Sequence, residues 1–367
     1  SYTKRGRSIL TSSLNLMIEE SRLLKVIARN WAFCFLLSFI ILFSFTGKGF
    51  LSIVNFQNII HLSVIAILMA SAETFVIISG GIDLSIGFVM GLSSVTAGKI
   101  IQIMSNSGNF SPAFSIFIGI SIALVLSLLP GLLSGIMIAK YKVPPFIATL
   151  GMWGITNGIA LKICKGFPVA MLPDSLTKIG NGYTLYIKSG EGISFFGLPE
   201  GVGNEQIREY LRLIPNSFIF LIVILLILWH LLRNTKFGQH TYAIGGNEDA
   251  AVRSGIDVKK HIVKIYVLSS FIAGIAGVFN IFQTGIGNFT PFGAMYELFA
   301  VAAVVIGGAS LMGGKGRIIA SIIGVFLIAV LENGLLISGV EPFYRFIAVG
   351  LLLILAVVID ELFPDLF

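Results

Sequence analysis

Long apolar runs alternate with short polar joints along this chain. The runs lie near residues 30–46, 58–79, 84–104, 113–139, 145–164, 215–232, 264–284, 297–312, 317–338 and 343–361. Each is close to the ~20 apolar residues an α-helix needs to cross a bilayer's hydrocarbon core. Within the runs the apolar residues are continuous. A transmembrane β-barrel strand would alternate lipid-facing and lumen-facing side chains, so a barrel is excluded. The pattern predicts an all-α integral membrane protein of about ten transmembrane helices, several interrupted by glycine. It divides the chain into an N-terminal amphipathic segment (1–29), a first group of helices (30–164), an excursion (165–214) and a second group (215–363).

Two polar stretches break this rhythm, and each has a pattern of its own. "YAIGGNEDAAVRSGIDVKKHIVK" (Tyr242–Lys264) overlaps a polar segment at 238–262 and carries a short helix signal. Asn247 is placed to cap an N-terminus whose first turn holds Glu248 and Asp249, where the helix dipole favours acids. Ala250, Ala251 and Val252 give a small apolar face, and Gly255 stops the helix. Such a helix lying along the membrane presents a knob to a groove in another protein. The second stretch, 165–215, places the turns "PDS", "GNG" and "KSGEG" around "YTLYI" and "ISFFGL". It predicts a small folded excursion with a hairpin, then a short helix over "NEQIREYLRL". Before the first run, "SSLNLMIEESRLLKVIARN" (Ser12–Asn30) spaces Leu14, Met17, Leu24 and Ile27 as an amphipathic helix on the inner membrane face.

Composition agrees with a chain built for lipid: 56% of its 367 residues are hydrophobic and 12% charged, against roughly 25% charged in soluble domains. The 25 lysines and arginines set the orientation. With the N-terminus inside and ten spans, sixteen fall in cytoplasmic segments and seven outside, with Lys99 and Lys162 within spans. That is the bias of cytoplasmic loops, so both termini and the 238–262 segment are expected in the cytoplasm. The formal charge of +7 is mostly this topology signal and calls for no nucleic acid. Cys34 and Cys164 lack metal-ligand spacing and read as packing residues.

Chemistry is sparse. No Gly-Lys-Ser/Thr phosphate loop occurs, no metal cluster, and the four histidines are scattered. Successive spans carry no chain of acids of the kind a proton pump uses. A solute-moving chain of this kind needs energy from a partner. Glu73, Glu297 and Glu332 fall within runs, where an unpaired charge costs at least ~2.5 kcal/mol on insertion scales. With Asn157, Asn280 and Gln283 they are candidates for a hydrogen-bonding solute path; bracing a helix is the alternative role. Glu73 leans toward the path and Glu332 toward the brace. Asp83 reads as an N-cap. "GGIDLSIG" (Gly80–Gly87) and "GGASLMGG" (Gly307–Gly314) share G-G-x-x-L-x-x-G at an offset of 227 residues. Each follows an apolar run, so Gly80, Gly81, Gly307 and Gly308 mark two matching helix breaks and an internal repeat.

Together "GGIDLSIG", "GGNEDAAVRSGIDVKK" and "AVVIGGASLMGGKG" resemble the signature regions of inner-membrane permeases from bacterial monosaccharide ABC importers of the ribose, xylose, arabinose and galactose type. The likeness runs from about Phe56 to Val358. It implies an ABC importer permease fold, a homodimer (or a pair with a paralogous permease) in membrane lipid, a periplasmic sugar-binding protein above and a cytoplasmic ABC ATPase below. ATP and Mg then belong to the ATPase, with no cofactor in this chain and ATP-driven alternating access as the mechanism. The resemblance also implies that Gly245, Gly246, Asn247, Glu248, Ala250, Ala251, Ser254 and Gly255 form the coupling segment on the ATPase. Three departures bear on the solute: Glu73 stands where such permeases usually carry an uncharged residue, Glu332 where Asn is common, and the excursion is longer. A nucleoside or amino-acid permease of the same superfamily and an ion-coupled secondary transporter stay as alternatives.

Overall fold

The structure is a computed structural model and describes residues 30–188, 192–195, 211–289 and 296–362. The amphipathic helix expected before residue 30 lies outside the described residues. Seven described helices are long and apolar enough to cross a membrane: α2 (Ile53–Ile78), α3 (Ile86–Asn106), α4 (Pro112–Tyr141), α5 (Pro145–Cys164), α7 (Asn216–Asn234), α10 (Val258–Thr284) and α12 (Ile318–Ile337). Three further apolar helices, α1 (Trp31–Thr46), α11 (Tyr296–Ile306) and α13 (Pro342–Leu362), occupy the other three expected runs. The short helices α6 (Ser175–Gly180), α8 (Lys236–Gly246) and α9 (Glu248–Arg253) lie between them.

The excursion adds a three-stranded antiparallel sheet in the order β2-β1-β3, from β1 (Tyr183–Lys188), β2 (Gly192–Phe195) and β3 (Leu211–Pro215). β1 and β2 form the expected hairpin, with Leu185 opposite Phe195. The helix expected over 204–213 lies outside the described residues up to 210. Its end is a strand instead: Leu211–Pro215 pairs with β1, with a register shift near Leu185. Pairing with a strand already present overrides a local helix pattern.

α10 is the central helix, packed on α4, α3 and α2. Lipid gives helices no hydrophobic reason to associate, so close approach depends on small residues at the contact. α4 meets α10 at Gly131, where a Cβ would collide with the Tyr266 carbonyl, and at Gly135, where it would lie 2.8 Å from the Val263 Cα. α10 returns the arrangement at Gly277 against the Met90 carbonyl of α3. Outward faces are apolar and open, as at Phe220, Leu226 and Ile227 of α7.

α11 has 11 residues, about 16 Å at helical rise, too short to cross. The chain leaving α10 runs back along α3 before reaching it. Gly287 pairs with Val169, the Phe289 carbonyl occupies the place of a Cβ on Gly91, and the Glu297 carboxylate that of a Cβ on Gly87. Gly87 and Gly91 thus make a Gly-x-x-x-Gly groove that admits a backbone segment and an acid.

Glycine fit at the α4–α10 seam is testable by melting the purified chain in detergent. Gly131→Ala is expected to destabilise by about 1–3 kcal/mol, the usual cost of overpacking. Gly350→Ala, in open space on α13, is expected to be neutral or slightly stabilising.

Candidate coupling and translocation site

The three glycine-bearing motifs, far apart in sequence, meet at one point. α2 ends in a left-handed Gly80 (φ +83), with Gly80 N–H donating to the Ile77 carbonyl and Gly81 N–H to that of Val76. α11 ends in the same way at Gly308 (φ +87), with Gly308 N–H on Val305 O and Ala309 N–H on Val304 O. Both are Schellman endings, which need a residue free of Cβ strain at the left-handed position. Sequence alignment pairs Gly80 with Gly307, whereas the matching geometry falls on Gly308, one residue later. The two turns lie against each other: a Cβ on Gly313 would sit 3.1 Å from the Gly80 Cα and 2.8 Å from the Gly245 carbonyl oxygen. The repeated breaks are therefore on the same face of the bundle.

α8 is seated on that junction, and α9 follows it directly. A side chain at Gly245 would collide with the Ile78 carbonyl, which accepts the Gly314 N–H at 2.8 Å. The Tyr242 hydroxyl donates to the Gly316 carbonyl at 2.7 Å; burial raises its pKa, and nearby Arg317 opposes that. The Asn247 side chain caps α9 by accepting the Ala250 N–H at 2.9 Å, and Gly255 closes it at φ +82. Asp257 begins α10 by accepting the Lys260 N–H; hydrogen bonds from Lys260 hold its carboxyl below the ordinary carboxylate range. Lys142, at the end of α4, pairs with Glu248 at 2.8 Å. Of the apolar face read from the sequence, Ala251 turns inward onto Ile244 and Val258. Gly246, Ala250, Val252 and Ser254 stay exposed.

Directly above Gly81 the chain turns back into the bundle. Glu73 is fully buried, and its Oε1 accepts the Asp83 N–H at 3.0 Å. That places Asp83 level with a residue five positions before the end of α2, about 7.5 Å along its axis. Asp83, also fully buried, accepts the Ser85 N–H and hydroxyl through Oδ1 and the Ser269 hydroxyl of α10 through Oδ2. Thr149 of α5 accepts the Leu84 N–H at 3.2 Å. One re-entrant segment is thereby tied to α2, α3, α5 and α10. The sequence reads Asp83 as the cap of α3, but Ser85 holds the N-cap position and Asp83 instead accepts from it. The knot is not legible in sequence, because Ser269 and Thr149 are ordinary helix residues until the fold brings them in.

The six residues considered for a path lie in different places. Gln283 and Glu332 line one cavity of about 350 Å³ between α2, α10, α11, α12 and α13, with Asn333, Tyr296 and Arg345. Glu332 and Arg345 are close enough to interact by charge. The Gln283 side chain donates to the His61 carbonyl, and Asn333 accepts from Asn55. Glu73 sits in the knot, Glu297 against Gly87, and Asn280 on the α3–α10 seam, where its side chain accepts from Ser94. Asn157 is half-buried on α5. Sequence reasoning misses Arg345, since nothing in its sequence surroundings points to Glu332.

A model of the family described as branched-chain amino acid transport system / permease component matches residues 55–357. The chain belongs to this permease family. It is 38% identical over 324 residues to the ribose import permease protein RbsC of Bacillus subtilis (strain 168), covering 88% of this chain and 89% of that protein. With RbsC of Escherichia coli (strain K12) the identity is 32% over 326 residues, 89% of this chain and 91% of that protein. The fructose import permease protein FrcC of Rhizobium meliloti is 31% identical over 316 residues, 86% and 80% of the two chains. No solved structure matches the chain. The permease is a multi-pass transport subunit whose motifs converge on one face of its bundle.

Glu73 is expected to hold the re-entrant segment through its oxygen. Glu73→Leu strands the Asp83 N–H and is expected to destabilise by roughly 1–3 kcal/mol, read as a lowered melting temperature. Glu73→Gln, which keeps an acceptor oxygen, is expected to retain most of the stability. Equal losses in the two variants would contradict this role.

Proposed function

We propose that this chain is the permease subunit of a binding-protein-dependent ABC importer that carries a monosaccharide across the bacterial inner membrane. The observation that carries the mechanism is the seat of α8 on the Gly80 turn and on the Gly313–Gly314 loop that follows the Gly308 break. An ATPase moving α9 pushes on α8 through Ala251 and Ile244, and α8 rests on the Gly80 turn that continues into the segment tying α2, α3, α5 and α10. ATP and Mg reside in the ATPase, and two copies of the permease alternate between outward and inward access as its cassettes close and reset. The sheet of β1, β2 and β3 lies at the opposite end from α9, where a periplasmic binding protein delivers solute. Both termini and α9 face the cytoplasm, in keeping with the distribution of basic residues.

The relatives' names favour a sugar, and the Glu332 cavity offers a carboxylate, amides and a guanidinium to hydroxyl groups. One observation favours a second reading. Glu332 and Arg345 also match the ammonium and carboxylate of an amino acid, the solute named in the family description. Uptake of labelled ribose and of labelled leucine by the assembled importer separates the two, and sugar uptake is expected.

Coupling is expected to depend on the exposed side of α9. Ala250→Glu and Val252→Glu should abolish solute-stimulated ATP hydrolysis in proteoliposomes while leaving the melting temperature of the permease unchanged. Ala251→Glu should lower stability, because that residue is 3% exposed. Unchanged stimulation in both exposed variants would remove α9 from the interface.

Orientation is checked by single cysteines at Asn109, in the exposed loop after α3, and at Asp249, in a chain whose Cys34 and Cys164 are replaced by Ser. An impermeant thiol reagent applied to intact cells with a permeabilised outer membrane is expected to label the first and spare the second. The reverse pattern would invert the topology.

A further inference from the structure

A second cavity, of about 670 Å³, opens where α1, α7, α8 and α12 meet on the same face as α9, lined by Trp31, Trp229, Arg233, Gln239, Tyr242 and Arg317. No carboxylate is among its lining residues, and neither arginine forms an ion pair among the described residues. Two cations facing one concavity repel each other, so the arrangement favours an anion between them. Arg233 leaves the last turn of α7 and lies over the Trp229 ring, 5.5 Å from its centroid. That contact restricts the guanidinium and leaves its edge available for planar, bidentate recognition of a phosphate. Arg317 immediately precedes α12 and makes no side-chain cap to it, so it too is free to turn to a ligand.

The surroundings distinguish a lipid from a soluble anion. Beyond the polar lining, the outer faces of α7 and α12 continue as exposed apolar surface: Leu226 and Ile227 on one side, Ile319 on the other, with Phe33 of α1 between helix starts. Trp31 opens α1 and Trp229 stands near the end of α7, the level at which indoles settle between headgroups and hydrocarbon. A ligand with an anionic head and apolar tails satisfies both parts of this surface, whereas a free phosphate satisfies only one. The Gly307–Gly308 turn forms part of the same lining, so an occupant touches one of the two helix breaks.

We propose that this cavity is a binding site for the headgroup of an anionic phospholipid, held by Arg233 and Arg317. The site rests on the membrane-spanning reading of the helices and not on the identity of the solute, so a failure of sugar uptake leaves it standing. Basic residues near an anionic membrane contribute about fivefold each in affinity.

The test is native mass spectrometry of the full purified chain titrated with phosphatidylglycerol or with phosphatidylcholine. Arg233→Gln and Arg317→Gln are each expected to weaken phosphatidylglycerol binding about fivefold, and the double variant about thirtyfold, with phosphatidylcholine binding unchanged. Melting temperature in detergent checks folding, and the single variants carry the test if the double variant does not fold. Lys178→Gln, on the far side of the molecule, is expected to change nothing, and millimolar inorganic phosphate is expected not to displace the lipid. Undiminished binding in the arginine variants, an equal loss in Lys178→Gln, or displacement of the lipid by phosphate would each overturn the proposal, the last by assigning the site to a soluble anion.

Discussion

Inside a bilayer no water is present to satisfy a backbone N–H or C=O, so a helix can be broken there only where the protein supplies partners. The segment between α2 and α3 is built around that requirement. Three of its amides, those of Asp83, Leu84 and Ser85, each find a side-chain oxygen: Glu73, Thr149 and Asp83 respectively. An acid that looks out of place in an apolar run is thus the acceptor that allows the chain to turn back. Because those partners belong to different helices, the break also holds the helices in register. Displacing the segment strands several donors at once, which favours discrete arrangements over gradual deformation.

The glycines follow from the same constraint. Where backbones touch there is no room for a Cβ, and at Gly80 and Gly308 the left-handed turn satisfies the last carbonyls of a helix without a side-chain cap. Gly245 lets α8 approach until the Ile78 carbonyl and the Gly314 amide bond beneath it. A rigid contact of this kind transmits displacement with little loss, since packed interiors have low compressibility. The path from α9 to the re-entrant segment runs through Ala251 on Ile244 and then through this contact.

The cavity beside Glu332 and the one beside Arg233 differ in how they meet the lipid. In the first, opposite charges face each other within a ring of helices, so a polar solute can replace their mutual interaction. In the second, like charges face an opening flanked by apolar helix surface, so compensation has to come from outside the chain. Charge sign, rather than cavity size, separates the two.

The run lengths by themselves determined the helices, because continuous apolar stretches of membrane thickness have few other structures open to them. They placed α1, α11 and α13 as well. Local chemistry also determined the ends of α9, since an Asn cap and a left-handed Gly act within a few residues. The tertiary structure alone decided which residues share a site. Glu73 and Glu332 look alike in sequence, each a lone acid in an apolar run, but one lies beside the Asp83 amide and the other beside Arg345. The inward turn of Ala251 and the strand at Leu211–Pro215 were likewise set by neighbours distant in the chain. Those outcomes depend on which surfaces meet when helices pack, and a pattern of hydrophobicity along one helix gives its apolar faces without naming their partners.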